Sequence, residues 1–270
     1  MNTIRSAAVA GSFYPAEADT LVRMISSQLD KASVLPALTH PKAIISPHAG
    51  YIYSGEIAAS AYKQLRTIKD HIKRVILIGP SHHVAFSGFA VSSAAYFSTP
   101  LGTIPLDSEA HAILATHHNV NVIDQAHQAE HSLEVQLPFL QTVLDDFTIV
   151  PIITGNASPQ QVAELINLLW DGSETLVIIS SDLSHYHNYH TAQRLDKITA
   201  QAILNLDINT VDAEHACGYI GIRGLLYFAR QHPLTIHAVD IRNSGDTAGS
   251  RDSVVGYGAF VLEEIDHVGD

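Results

Sequence analysis

Four short runs of consecutive apolar residues constrain this chain more than any other feature. Ala43-Ile44-Ile45, Val75 to Ile78, Ile149 to Ile153 and Leu176 to Ile179 each stop at a polar segment: SPHAGYIYSG, GPSHH, GNASPQQ and SSDLSHYHNYH respectively. A strand covered on both faces has no side turned to water, so it reads as a continuous apolar run rather than an alternation, the pattern of parallel strands in α/β proteins. Helical spacing fills the intervals. Ile57, Tyr62 and Leu65 share a side after the first run, and Leu21, Met24, Ile25 and Leu29 form a stripe between Pro15 and Leu29. Ser158, Pro159 and Gln161 spell a helix start with a capping box, ahead of the stripe Val162, Leu165, Ile166 and Leu169.

The remaining segments fit around that pattern. Phe89 to Leu106 alternates and is broken by Pro100 and Gly102, which predicts an antiparallel hairpin added to the sheet. Thr235 to Ile241 and Val254 to Val261 predict two closing strands around the turn-rich NSGDTAGSRDS. With no repeat, low-complexity tract or linker, 270 residues predict one α/β domain over 1–270, with a central mixed β-sheet flanked by helices on both sides.

Composition narrows the function classes. A net charge of −12 argues against binding a nucleic-acid backbone, which needs clustered Lys and Arg. No run approaches the roughly 18 apolar residues of a membrane span, and MNTIRSAAVAGSFYP lacks a secretory apolar core. The single cysteine, Cys217, excludes an intrachain disulfide and fits a reducing compartment, so the expectation is a soluble cytoplasmic protein with neither nucleic-acid nor membrane partners. Histidine stands out: 17 of them exceed the 15 Lys plus Arg, and imidazole is both a common metal ligand and a proton shuttle near neutral pH.

Position gives the histidines meaning. Open α/β sheets bind ligands beyond the carboxyl ends of their strands, and the loops there carry His48, His82 with His83, and Asp182 with His185. Gly50, Gly55 and Gly79 allow sharp turns or close approach beside them. Taken singly, His48 and His82 are as readily loop histidines bonded to backbone, and Asp182 a turn cap; the shared placement favours one polar cleft. Cys217 precedes a helical run with Ile222, Leu225 and Leu226, where a thiol ionises more easily, although a lone cysteine is as often a small core residue and His215 is an alternative participant. In EHSLEVQ, His131 and Glu134 fall on one face if a helix begins near Ser132, able to bind or orient a metal ligand, or simply to complement the helix dipole. His117, His118, His187 and His190 form no group and are expected to be exposed.

The ordered motifs AGSFYP, ISPHAGYIYSG, LIGPSHH, EHSLEVQLPFLQ, SSDLSHY, ACG and NSGDTAGSRDSVVGYGAF resemble those of the Memo family, called AmmeMemoRadiSam system protein B in prokaryotes, through nearly the whole chain. That family is structurally similar to class III extradiol dioxygenases, which implies the same mixed sheet between two helical layers. The resemblance implies metal ligands at His48, His82 and Cys217, with His185 as acid/base catalyst and Asp182, His131 and Tyr51 along the same cleft. A cysteine where the dioxygenases use a carboxylate makes the set softer, suited to copper or zinc as well as iron.

Three functions follow as expectations. The first is a redox or oxygen-using enzyme holding Fe(II) or copper and acting on a small molecule of unknown identity. The second is a non-catalytic protein that binds a peptide or protein on an ancestral scaffold. The third is a zinc hydrolase with His185 or Glu134 as base. The prokaryotic family label also implies a pathway link to a radical SAM enzyme.

Overall fold

The computed structural model describes residues 3–36, 38–170 and 172–264. Its strands are β1 (Ile4–Arg5), β2 (Pro41–Ser46), β3 (Arg74–Pro80), β4 (Phe89–Val91), β5 (Tyr96–Thr99), β6 (Gly102–Pro105), β7 (Val120–Val122), β8 (Thr148–Thr154), β9 (Thr175–Ser180), β10 (His185–His187), β11 (Leu234–Asn243) and β12 (Val254–Glu264). The helices are α1 (Ala18–Lys31), α2 (Tyr51–Tyr62), α3 (Ser108–Leu114), α4 (Asp124–Gln128), α5 (Leu137–Val143), α6 (Pro159–Leu169), α7 (Tyr189–Leu204) and α8 (Tyr219–Ala229).

Nine strands form one mixed sheet in the order β10-β12-β2-β9-β3-β8-β4-β7, with β11 antiparallel to β12. The four apolar runs are its parallel centre, β2-β9-β3-β8. Their alternate side chains enter opposite layers. Ile44, Leu77 and Ile178 pack with Ile25 of α1, Ile57 of α2 and Leu140 of α5. Ile45, Ile76 and Ile179 pack with Ile166 of α6, Ile203 of α7 and Leu225 of α8. Both layers exclude water, which is why the middles of these strands are apolar and their polar residues, among them Ser46, Thr154 and Ser180, stand toward the ends. The capping box of α6 is formed as its sequence indicates, the Ser158 side chain accepting from Gln161 N–H while the Gln161 side chain takes the Ser158 N–H.

Pro151 stands inside β8, in mid-sheet, where its missing N–H would ordinarily break a ladder. Ile149, Pro151 and Ile153 turn their backbone groups away from β3. On that side Ile149 bridges Leu106 and Ile153 pairs with Ala90, leaving Pro151 in the gap between the two partners.

The segment 89–106 departs from the expected hairpin. Its first part, β4, joins the main sheet between β7 and β8. The chain then leaves it: Asp124 accepts hydrogen bonds from the Ser92 and Ser93 side chains and the Ser93 N–H. Only β5 and β6 form a hairpin, turning at Pro100 and Leu101, and it builds a separate three-stranded sheet with β1.

Sheet order sets the functional geometry. Because β9 lies between β2 and β3, the loops that follow these three strands open side by side, although their residues are far apart in sequence. Among the described residues, no helix is long and apolar enough to cross a membrane.

Candidate metal centre

His48 follows β2 directly, its loop held from below. Its backbone N–H donates to Asp182 Oδ1 at 2.8 Å, and its ring Nδ1 lies 2.9 Å from Ser180 Oγ. The Ser180 hydroxyl spends its proton on the Ser132 carbonyl at 2.6 Å and accepts from Gln136 Nε2 at 2.8 Å. It therefore has only acceptor capacity for His48, so Nδ1 carries the ring proton and Nε2 the lone pair. Burial, reinforced by the neighbouring His131 and His82, holds the His48 pKa well below its ordinary value, which keeps the ring neutral and able to ligate.

His82 follows β3 and is oriented by a carboxylate. Its Nδ1 lies 2.8 Å from Glu130 Oε1 while its N–H donates to Oε2 at 2.7 Å. Oε1 also accepts the N–H groups of His131 at 3.0 Å and Ser132 at 2.9 Å. Burial opposes charge on Glu130, but the bonds from the His82 ring and backbone outweigh it and hold the carboxyl far below the usual carboxylate range. An ionised Glu130 engages His82 at Nδ1 and leaves Nε2 free, the arrangement by which outer carboxylates orient metal-binding histidines.

His131 completes the group. Its ring is stacked on His82 with centroids 4.5 Å apart, and both rings stand edge-on to His48 at 5.4 and 5.2 Å. One ligand nitrogen from each of His48, His82 and His131 lies within 4.8 Å of the other two. The Phe13 ring packs on His131 at 4.6 Å, and burial lowers the His131 pKa to about 4. The turn bearing Glu130 and His131 rests on the end of β3, where a side chain at Gly79 would meet Leu133 and Ser132 at under 3 Å.

Cys217, just before α8, reaches the group through His48. Its Sγ lies 3.2 Å from His48 Nε2 and 3.7 Å from the Asp182 carbonyl. Its position near a helix start suggested easy ionisation; instead burial, with the adjacent Asp182 carboxyl, pushes the thiol up to about 12. The thiol has two acceptors within reach, the Asp182 carbonyl and the His48 Nε2 lone pair.

These groups open into a cleft of about 1060 Å³ that His48, His82, His131, Asp182, His185 and Cys217 line together. Burial raises the Asp182 carboxyl to about 7 against the opposing pull of the His48 and Ala49 N–H groups, and lowers the pKa of His185. Asp182 contacts His48 through backbone, so its place is as an anchor for the loop as well as a wall of the cleft.

Two expected lining residues lie elsewhere. Glu134 is turned away, tied to the N-terminal segment: it ion-pairs with Arg5 and accepts from the Ala8 and Val9 N–H groups and the Tyr14 hydroxyl. The turn at 134–136 is a short 3-10 helix that runs into α5, so the face shared in sequence with His131 is not shared in space. Tyr51, the first residue of α2, points inward, donating to the Val135 carbonyl at 2.6 Å and packing on Phe139. Gly55 lies within α2 and not in a turn. His215 bonds Asp212 at 2.7 Å, outside the cleft.

The sequence reading missed others. Nothing in it singled out Glu130, Ser180 or Gln136, although a glutamate directly before His131 was a usable signal. His187 was expected to be solvent-facing without grouping, yet it lines the cleft with His185 and Tyr186. Tyr186 takes a left-handed φ of 60°, and β10 pairs with β12 irregularly there, which turns all three residues toward the opening.

The profile described as Memo-like protein matches residues 5–261. The chain is 34% identical to a MEMO1 family protein of Thermoplasma volcanium, over 96% of this chain and 98% of the relative. It is 35% identical to one from Archaeoglobus fulgidus and 36% identical to one from Thermotoga petrophila, each over 96% of this chain and 99% of the relative.

Proposed function

The chain belongs to the Memo family, and from that premise we propose that its cleft is the active site of a metal-dependent enzyme carrying out redox or oxygen-using chemistry on a small molecule. The observation that carries this reading is the convergence of the His48, His82 and His131 nitrogens at the strand ends. The donors fit a transition ion: His48 and His82 each have Nδ1 engaged from outside the cleft and a free Nε2, and a thiol lies within reach of the first. Imidazoles with a thiol suit iron, copper or zinc over magnesium or calcium, which prefer oxygen. A bound iron or copper would supply Lewis acidity and one-electron chemistry.

The chain's own residues do the rest. His185, neutral because burial lowers its pKa, accepts a proton from substrate and later returns it. Asp182 holds the loop of His48 by its backbone, so the ligand does not have to be ordered at the moment of binding. Phe13, Tyr53 and Tyr257 add aromatic surface to the lining of the cleft. Among the described residues no Lys or Arg lines this cleft, which favours a substrate without several negative charges.

Elemental analysis of untagged protein purified without oxygen tests the proposal. Near-stoichiometric iron or copper, lost in a His48→Ala, His82→Ala double variant, supports it. Zinc alone moves the site to hydrolysis. Absence of metal together with no affinity for added Fe(II), Cu(I) or Zn(II) overturns it and leaves the cleft as a peptide or organic-ligand pocket.

A further inference from the structure

We propose that the substrate of this cleft carries an organic ammonium group, and that the outward-standing Tyr186 ring recognises that group together with Tyr53 and Glu214 of the same lining. The inference rests on the reading of the cleft as a substrate site and names the substrate class; it takes nothing from the identity of any metal.

Tyr186 is held where the core gains nothing from its ring. It is 79% exposed, the highest value of any large apolar side chain described, and among the described residues its one ring contact is with His185, edge-on at 5.7 Å. Its φ of 60° lies in the left-handed region, which a residue with a Cβ rarely adopts. The backbone on both sides keeps it there. The Leu183 N–H donates to the Gly256 carbonyl and the Gly256 N–H to the Ser184 carbonyl, both at 2.8 Å. His185 and His187 pair with Val255 and Val254 across the irregular register of β10 and β12. A strained residue that its neighbours over-determine, at a cleft and with an idle ring, is placed for a ligand.

The charge of the lining says which ligand. Exposure orders it by depth: His48, 2% exposed, lies at the floor, while Tyr53, Tyr186 and Glu214 are exposed and stand toward solvent. Among the described residues no Lys or Arg lines the cleft. Arg251, the one cation of the adjoining 244–253 loop, is drawn off: its guanidinium lies 4.4 Å over the Tyr189 ring and its Nε donates to the Gly245 carbonyl. An anionic substrate would find no Lys or Arg here, and a neutral one would gain from ring contact alone. An ammonium gains from the electron-rich tyrosine faces and from the Glu214 carboxylate. The net charge of −12 adds attraction at long range. The ammonium end of the substrate then faces outward, and its reacting end reaches down to His48 and His82.

The test titrates the full chain, as purified, with choline and with its neutral isostere, in which a tert-butyl group replaces the trimethylammonium. The two have the same shape and differ in charge. Calorimetry at low ionic strength is expected to give choline about tenfold the affinity of the neutral alcohol. Tyr186→Asn removes the ring but suits a left-handed backbone, and reduces that ratio to about threefold or less; Tyr186→Phe keeps the ring face and retains it. Glu214→Gln lowers choline affinity by about twofold to fivefold, an effect that fades with salt, and leaves the alcohol's unchanged. A ratio near unity in wild type, no saturable binding of choline, or a ratio that survives Tyr186→Asn overturns the proposal. Zn(II) uptake by the same samples separates the two readings. Uptake without a preference for the cation overturns this inference alone; a preference for the cation without uptake overturns the metal-site reading alone.

Discussion

Glu130 stands behind the candidate ligands, accepting four hydrogen bonds from His82, His131 and Ser132. A glutamine there keeps the shape but replaces one acceptor by an NH2 group that faces the donors of His82. The ring loses its fixed tautomer, and the charge that strengthens its basicity disappears. Glu130→Gln is expected to weaken Zn(II) or Co(II) binding by about 10–100-fold in calorimetric titration. Glu130→Asp, which keeps the charge, should recover part of that loss. Equal affinity in wild type and the glutamine variant would show that stacking against His131 alone orients His82. No periodicity pointed to this residue, because a glutamate in a short polar turn reads as a solvated one. Its significance depends on His82, 48 positions earlier, being brought over it by the sheet.

Elements were legible where a pattern is local. The four buried runs and the α6 capping box need only their own residues to be recognised, and they form β2, β3, β8, β9 and α6. Orientation was less so. Glu134 and Tyr51 point away from the cleft because segments distant in sequence, 5–14 and α5, supply their partners, and no spacing rule contains those contacts. The joint between α7 and β10 makes a related point. Asp196, buried on α7, accepts the Ser184 N–H at 3.0 Å just before β10, and burial raises its carboxyl to about 6. Its folded pKa exceeds the unfolded value, so its stabilising contribution is full below about pH 4 and is lost as pH rises through about 6. Asp196→Asn keeps the acceptor without the charge. Relative to that variant, wild type is expected to lose up to about 3 kcal/mol of unfolding free energy between pH 4 and pH 7. Urea unfolding at the two pH values measures it; a constant difference would mean that water reaches the carboxylate and spares it the cost of burial.

At the scale of the molecule, two properties compete for any added cation: a surface with a net charge of −12, and a cleft that among the described residues has no Lys or Arg and offers imidazole nitrogens. The first attracts every divalent ion weakly and in proportion to charge; the second discriminates by donor type. Thermal unfolding separates them. An ion bound only by the folded chain, at about 1,000 times its Kd, stabilises by about 4 kcal/mol. For a domain of this size that corresponds to a rise of about 8–16 °C in Tm. Zn(II) or Co(II) is expected to give such a rise, and Mg(II), which keeps to oxygen ligands, almost none at equal concentration. The rise should vanish in the His48→Ala, His82→Ala protein, whose surface charge is unchanged, and should persist when salt is raised. A shift of the same size with Mg(II), fading with salt, would instead mean that the ions meet the acidic surface, and that the histidines converge for a ligand other than metal.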